Sequence, residues 1–520
     1  MLRKVFLFLP IFILAAAFLL NNAANAEGLQ AEPDLKKIDG YVERMMKECR
    51  IPGFSLAIVK GGKVLYTQGY GIADPTGRTV TPATPFQVAS VSKTFTALAV
   101  MQLVDAGRVS LDEPVRTYLP RFELADTKAS QAITVRELLS HTSGIGPSAE
   151  FSIASVTGNG DSIGRLVERM KNLKPAAPPG EKFQYNNMNY IILGELIQII
   201  SGMSYEDYIK QNIFEPLGMS HSYFLTGETP PEKAKKDRMA VGYRTIFGFP
   251  VVSGMPYRTA FTPAAGVITS SEDLAKYMLA LMNGGMYESN RIISADSLAL
   301  MLEPAARISK WESYGLGWYV TSGSYYHGGE LTDYQSKLKI LPDESLGVAF
   351  VYNTSSSTAT SLFKVGYRDR IESGIINILY GSDPDDVPKG GILDLNRYPA
   401  TVTYSIYLVL CILILLALVF SFIRLGSFKK RLAKSRGSFV KAILLTLAVY
   451  ILLPVFILYI PGRMNINWQQ LLFNVPDVGW SLLFISTSLL ICGFFKVLIL
   501  KDYLLPSKRK QPGEKHIYTP

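Results

Sequence analysis

At 520 residues, 48% of them hydrophobic, with a mean hydropathy of +0.18, the chain is too long and too apolar for one small soluble domain. The net charge of +10 is concentrated in two short flanks of apolar runs, which argues against a nucleic-acid-binding surface. Of the three cysteines, Cys411 and Cys492 lie in apolar segments and only Cys49 lies elsewhere, which excludes a disulfide framework.

The first 26 residues read as a cleavable secretory signal: Arg3 and Lys4 precede the uncharged run Val5 to Ala26, which closes on Ala24-Asn25-Ala26. A helix is predicted over Asp34 to Arg50, where apolar residues recur at helical spacing. "FSLAIVK" and "KVLYTQGYGIAD" then form a hairpin through Gly61-Gly62. The middle of the chain is mostly helix and loop, with helices predicted over Thr94 to Gly107, Thr134 to Leu139, Tyr190 to Ser201 and Ser271 to Gly284. "SKLKILPDESLGVAFVYN" gives a second hairpin with its turn at Pro342-Asp343-Glu344, followed by a helix from Thr358 to Leu379. Strands at both ends with helices between predict an α+β fold: one antiparallel sheet built from both chain ends, flanked by helices, with a helical subdomain inserted.

Residues 381–397, rich in Pro, Gly and Asp, read as a linker. Uncharged runs follow over Tyr398 to Ile423, Ala442 to Gly462 and Val478 to Phe495, each near the ~20 residues that a bilayer crossing needs. Residues 424–441 carry seven Lys or Arg and no acid, and residues 496–520 carry six more against Asp502 and Glu514. The positive-inside rule puts both flanks in the cytoplasm and residues 27 to about 397 outside. The expected domains are a signal peptide (1–26), an exported domain (27–380), the linker, a three-helix transmembrane region (398–503) and a cytoplasmic tail (504–520). The chain is thus expected in the cell membrane as a multi-pass protein with the bilayer as a partner.

The chemistry lies in a Ser-x-x-Lys pair. The pattern begins at Ser90, Ser336, Ser361, Ser427, Ser438 and Ser507, so alone it carries no information. Those at Ser427, Ser438 and Ser507 lie in basic flanks. Ser336 heads a strand, where i and i+3 face opposite ways, and Ser361 opens a surface helix. Ser90 alone follows an extended turn and starts a long apolar helix, which puts the Lys93 amine on its own face. Burial disfavours the ammonium there, and a neutral amine is a usable base. A helix-capping serine is the plain alternative.

"FQVASVSKTFTALAVMQLVDAGRVSLDEPVRTYLP" resembles the serine β-lactamase and penicillin-recognising hydrolases, in particular the class C β-lactamase-like group. "ITVRELLSHTSGI" at 133–145, "PGEKFQYNNMNYIILGELIQIISGMSYEDYIKQNIFEPLGM" at 179–219, "PAAGVITSSEDLAKYM" at 263–278, "YGLGWYV" at 314–320 and "HGGELTDYQSKLKILPD" at 327–343 follow the same order. The resemblance implies that Ser90 is the acylated nucleophile, that Lys93 takes its proton, and that Tyr185 shares that proton. It further implies that Asn187 donates to the substrate's acyl-side carbonyl, and that His327 and Gly329 form the substrate-binding strand. The oxyanion hole would be the N–H groups of Ser90 and Glu330.

The family's usual Lys-Thr-Gly is His327-Gly328-Gly329 here. Histidine is largely neutral near pH 7, which weakens the case for β-lactams and favours an ester or D-amino-acyl amide. The expected function is an outward-facing serine hydrolase on D-amino-acyl esters or amides of the envelope, in peptidoglycan- or teichoic-acid-like material. A D-Ala-D-Ala carboxypeptidase or penicillin-binding protein, a class C-type β-lactamase, and a non-hydrolytic wall-fragment or β-lactam sensor are the alternatives. No cofactor, metal or nucleic acid is expected. With no G-x-S-x-G elbow, and with His141 packing a turn beside Thr142, other hydrolase chemistries have no support in the sequence.

Overall fold

The computed structural model describes residues 34–147, 149, 161–225, 238–246, 248–254, 257–355, 367–386, 400–424, 436–463, 468, 471–472 and 476–504. The expected signal peptide, most of the linker and the cytoplasmic tail after Leu504 lie outside them. The chain divides into two units, one up to Thr401 and one from Val402.

In the first unit, α1 (Leu35–Cys49) leads into β1 (Gly53–Lys60) and β2 (Lys63–Gly71). The hairpin between them turns on Gly61 and Gly62, both at positive φ (58° and 75°), the left-handed pair that matches strand twist and that side chains resist. Helices α2 (Ser92–Asp105), α3 (Asn187–Ser201) and α4 (Ser271–Met282) come next. Six strands follow: β3 (Ala306–Arg307), β4 (Ser313–Tyr314), β5 (Tyr319–Val320), β6 (Tyr325–Glu330), β7 (Gln335–Leu341) and β8 (Leu346–Tyr352), and then helix α5 (Tyr367–Leu379).

All eight strands join in one antiparallel sheet, ordered β2-β1-β8-β7-β6-β5-β4-β3. The first and last strand groups meet through β1 and β8, paired from Phe54↔Tyr352 to Lys60↔Leu346. The expected sheet from both chain ends is therefore present.

Strand alternation sorts the two faces. Ser336 and Gly347 look toward α2 and α4: Ser336 Oγ donates to Val88 O at 2.7 Å, and a Cβ on Gly347 would meet Met278 Sδ at 3.0 Å. Lys337 and Lys339 look the other way, to Glu372 on α5 at 2.7 Å each. On that face α5 packs on α1 so closely that a side chain at Gly374 would collide with the Tyr41 ring, whose hydroxyl donates to Arg370 O at 2.8 Å. Residues 381–386 begin the expected linker, and there Asp385 is held by Arg44 (2.9 Å) and Arg370 (3.5 Å).

Helix α2 is buried on every face from Ser92 to Met101, its polar Ser92, Lys93, Thr94 and Thr96 included. Phe95 stacks on Tyr277 of α4 with ring centroids 4.2 Å apart. The N-terminus of α2 is thereby fixed against the sheet.

In the second unit two helical stretches, Val440–Tyr459 and Pro476–Lys501, are long and apolar enough to cross a membrane. The remaining expected span is helical over Ala400–Ile423, and its described side chains include exposed Leu413, Leu416 and Phe420. The stretch Val440–Tyr459 is wound as a π-helix over Ala448–Leu452, and Tyr450 within that segment hydrogen-bonds Ser421 at 2.5 Å.

Candidate active site

Ser90 sits in a short 3₁₀ turn, Ala89–Val91, immediately before α2. The turn is strained and clamped. Ala89 holds φ at +49°, a left-handed conformation costing about 1–3 kcal/mol for a residue with a side chain. Three bonds hold it there: Val88 O accepts from Ser336 Oγ, Val88 N–H donates to Val267 O (3.0 Å), and Val267 N–H donates to Ser92 Oγ (2.9 Å). Gly329 of β6 passes directly over the turn. A Cβ there would collide with Val88 O and Ser336 Oγ, so only glycine lets strand and turn approach.

Lys93, one turn into the helix, is fully buried, whereas Ser90 is partly exposed. Its Nζ lies 3.1 Å from Ser90 Oγ, 2.6 Å from Asn187 Oδ1 and 2.9 Å from Ala264 O. The two carbonyl oxygens can only accept, so each takes an N–H of the amine. The lone pair of a neutral amine then suits the direction of Ser90 Oγ, which is the geometry a general base needs. Because Oδ1 of Asn187 faces the lysine, donation to a ligand falls to Nδ2.

The Tyr185 ring centroid is 4.9 Å from Lys93 Nζ. The loop bearing Tyr185 is bracketed by a residue that sequence reasoning placed outside the chemistry. His141, at φ +60°, accepts at its carbonyl from Gln184 N–H (2.7 Å) and at Nδ1 from Asn186 N–H (3.2 Å). Its ring centroid lies 4.3 Å from that of Tyr185. The imidazole is fully buried, and burial holds its pKa well below the usual histidine range. Since Nδ1 accepts from a backbone N–H, the ring proton belongs on Nε2. His141 is a positioning residue for Tyr185, and the only sequence signal for it was a histidine beside a turn.

His327 forms the wall opposite. Its ring is 1% exposed, and burial pushes its pKa down to about 3. Nδ1 lies 2.8 Å from Gly328 O, which can only accept, so that nitrogen carries the proton and Nε2 accepts from Tyr314 O–H at 3.1 Å. The neutrality expected of His327 holds. Both nitrogens are engaged within the protein, and the imidazole packs with Tyr314, Tyr185 and Tyr319 as an aromatic wall.

Strand β6 leaves a working edge. The bond from Leu331 N–H to Tyr334 O (2.9 Å) sets the alternation with β7, so Gly329 faces β7 and the Glu330 N–H turns away from it. On that other side β5 pairs only with Tyr325 and Tyr326, which leaves the edge from His327 to Glu330 uncovered by β5. The structure thus brings together Ser90, Lys93, Tyr185, Asn187, His327 and Gly329, and sets Glu330 at the rim with its side chain exposed.

A serine with a buried amine at its oxygen, beside a strand edge that β5 leaves uncovered, is an arrangement that can support acyl transfer through the hydroxyl. The beta-lactamase family model matches residues 38–365, and the chain belongs to that family. Protein flp of Staphylococcus aureus strain MRSA252 is 32% identical over 332 residues, 63% of this chain and 64% of that protein, so the matched part spans under two thirds of that relative. With the flp protein of strain N315 the similarity runs over 450 residues at 30% identity, 85% of this chain and 86% of the relative. Penicillin-binding protein 4 of Amycolatopsis lactamdurans is 31% identical over 343 residues, 63% of this chain and 87% of that one. Among solved structures, the octameric penicillin-binding protein homologue from Pyrococcus abyssi superposes with a TM-score of 0.58 at 29% identity, covering 68% of this chain and 79% of that one.

Proposed function

We infer that this β-lactamase-family hydrolase is membrane-anchored, works on the outer face of the membrane, and cleaves D-amino-acyl esters or amides of the cell envelope. The observation that carries the chemistry is the approach of Lys93 Nζ to Ser90 Oγ at 3.1 Å. Ser90 Oγ attacks the acyl carbonyl and its proton passes to Lys93 Nζ, with Tyr185 as the neighbouring relay. The N–H groups of Ser90 and Glu330 hold the oxyanion, and the proton goes to the departing alcohol or amine. Water then attacks the acyl-serine by the reverse proton path, releasing the acid.

The substrate class is supported by His327, a neutral imidazole at the position where the family's lysine carries a charge suited to β-lactam and peptide carboxylates. Membrane anchoring is supported by the apolar helices, and its orientation by the basic residues between and after them. A second reading, a D-Ala-D-Ala carboxypeptidase or penicillin-binding protein, is favoured by the names that the relatives bear.

Turnover by the full-length chain in detergent, measured on D-alanyl esters, D-Ala peptides and penicillins, separates the readings. Our reading requires the highest kcat/KM on a D-amino-acyl ester or amide. Preference for D-Ala-D-Ala termini would support the second, and an adduct without turnover would support a sensor.

A further inference from the structure

The strand that supplies the Glu330 N–H has a cation behind it. Arg368, in the first turn of α5, approaches β6 from the face opposite Ser90. Its Nη1 donates to Gly329 O at 3.1 Å. The guanidinium lies against Gly328: a Cβ there would fall 2.9 Å from Cζ, 3.1 Å from Nη1 and 3.2 Å from Nη2. Glycine at 328 thus has a function of its own, since any side chain would lift the guanidinium off the strand. Among the described residues Arg368 Nε is buried without a hydrogen-bond partner, and the acid beside it, Asp369 at 3.8 Å, is 63% exposed and therefore screened by water. Glu372, at 7% side-chain exposure, is paired with Lys337 and Lys339, and the carboxylates of Glu372 and Glu330 add to the field that keeps the guanidinium charged.

The carbonyl of Gly329 and the N–H of Glu330 are two ends of one trans peptide, since no cis bond is present among the described residues. A cation bonded to the oxygen end draws electron density through the amide, making the N–H at the other end a stronger donor. That N–H turns toward the open edge beside Ser90. We propose that Arg368 is a positioning residue for acyl transfer: it fixes and polarises the Gly329–Glu330 peptide as an oxyanion donor without touching the substrate. Charge developing on the substrate oxygen would then meet an N–H already biased toward it, so the benefit falls on the transition state and shows in kcat.

The proposal rests on the reading that Ser90 is acylated, and its test reports on the two separately. In the full-length chain, Arg368→Gln should lower kcat for a p-nitrophenyl acylate about tenfold with KM nearly unchanged. Arg368→Lys should recover most of the loss. The acyl-enzyme carbonyl stretch should move to higher frequency in the Gln variant, because a weaker oxyanion hole polarises the ester less. Gly328→Ala, which keeps the arginine but displaces it, should reproduce the kcat loss, and it stands in if the Gln variant does not fold. Wild-type kcat and carbonyl frequency in both neutralising and displacing variants would overturn the proposal. So would a loss confined to KM for anionic substrates, which would make Arg368 a substrate contact. A wild-type chain that forms no adduct on Ser90 would overturn the underlying reading as well.

Discussion

Ser90 Oγ and Lys93 Nζ lie 3.1 Å apart, the hydroxyl partly open to solvent and the amine sealed within the protein. In the proposed mechanism that amine takes a proton from a hydroxyl that must itself reach a substrate. Lys93→Met keeps the volume and removes the base. Single-turnover acylation should slow by about 10² to 10⁴-fold, while the fold is retained at a somewhat lower melting temperature, because Asn187 Oδ1 and the buried Ala264 O lose the donor that the amine supplied. An unchanged acylation rate would assign the base elsewhere.

His141 should matter to the rate through geometry. Without its Nδ1, the buried N–H of Asn186 loses its acceptor at about 1–3 kcal/mol, and the loop bearing Tyr185 loosens. His141→Ala should therefore lower kcat by about tenfold or more with a smaller change in KM, and a crystal structure of the variant should show Tyr185 displaced. A kcat loss without movement of Tyr185 would point to a chemical role instead.

His327 makes a prediction about pH. Its pKa is pushed down to about 3 in the fold, against ~6.5 in the unfolded chain. The unfolded state therefore binds the proton more readily, so the stabilisation is complete above pH ~6.5 and is lost as the pH falls toward 3, at about 1.4 kcal/mol per unit. His141 titrates in the same direction but is common to wild type and variant. The difference in melting temperature between wild type and His327→Asn should shrink from pH 7 to pH 4; a constant difference would contradict a buried neutral imidazole.

Gly329→Ala drives a methyl group into Val88 O and Ser336 Oγ, the two atoms whose bond holds the turn before Ser90. Activity should fall by at least about 10²-fold, with a fold still recognisable by circular dichroism. Retained activity would show that strand and turn separate without consequence.

The membrane arrangement has a test of its own. Reporter fusions after residue 380 and after residue 435 should be active on opposite sides of the membrane. Reporters on the same side would rule out a crossing between those two points.

The sheet was legible from sequence because its hairpins are local: paired β-rich runs and Gly61-Gly62 specify the turn without reference to the rest of the chain. Ser90 and Lys93 were legible because a helix puts i and i+3 on one face. What was hidden depends on contacts distant in sequence. The engagement of His327 by Tyr314 follows from the order β4-β5-β6, and the role of His141 from a loop more than forty residues onward. Arg368 reaches Gly329 from a helix that no motif connects to the site. Helix α3 begins at Asn187, earlier than the predicted Tyr190, because the Asn186 side chain caps it by accepting from Met188 N–H.

Every role proposed above follows from acylation of Ser90 by a carbonyl substrate. Full-length wild type and Ser90→Ala, each incubated with an activated D-alanyl ester and analysed by intact mass and peptide mapping, test it directly. We predict one acyl increment on wild type, carried by the peptide containing Ser90, and none on the variant. An increment that persists in Ser90→Ala, or maps to another residue, would contradict it.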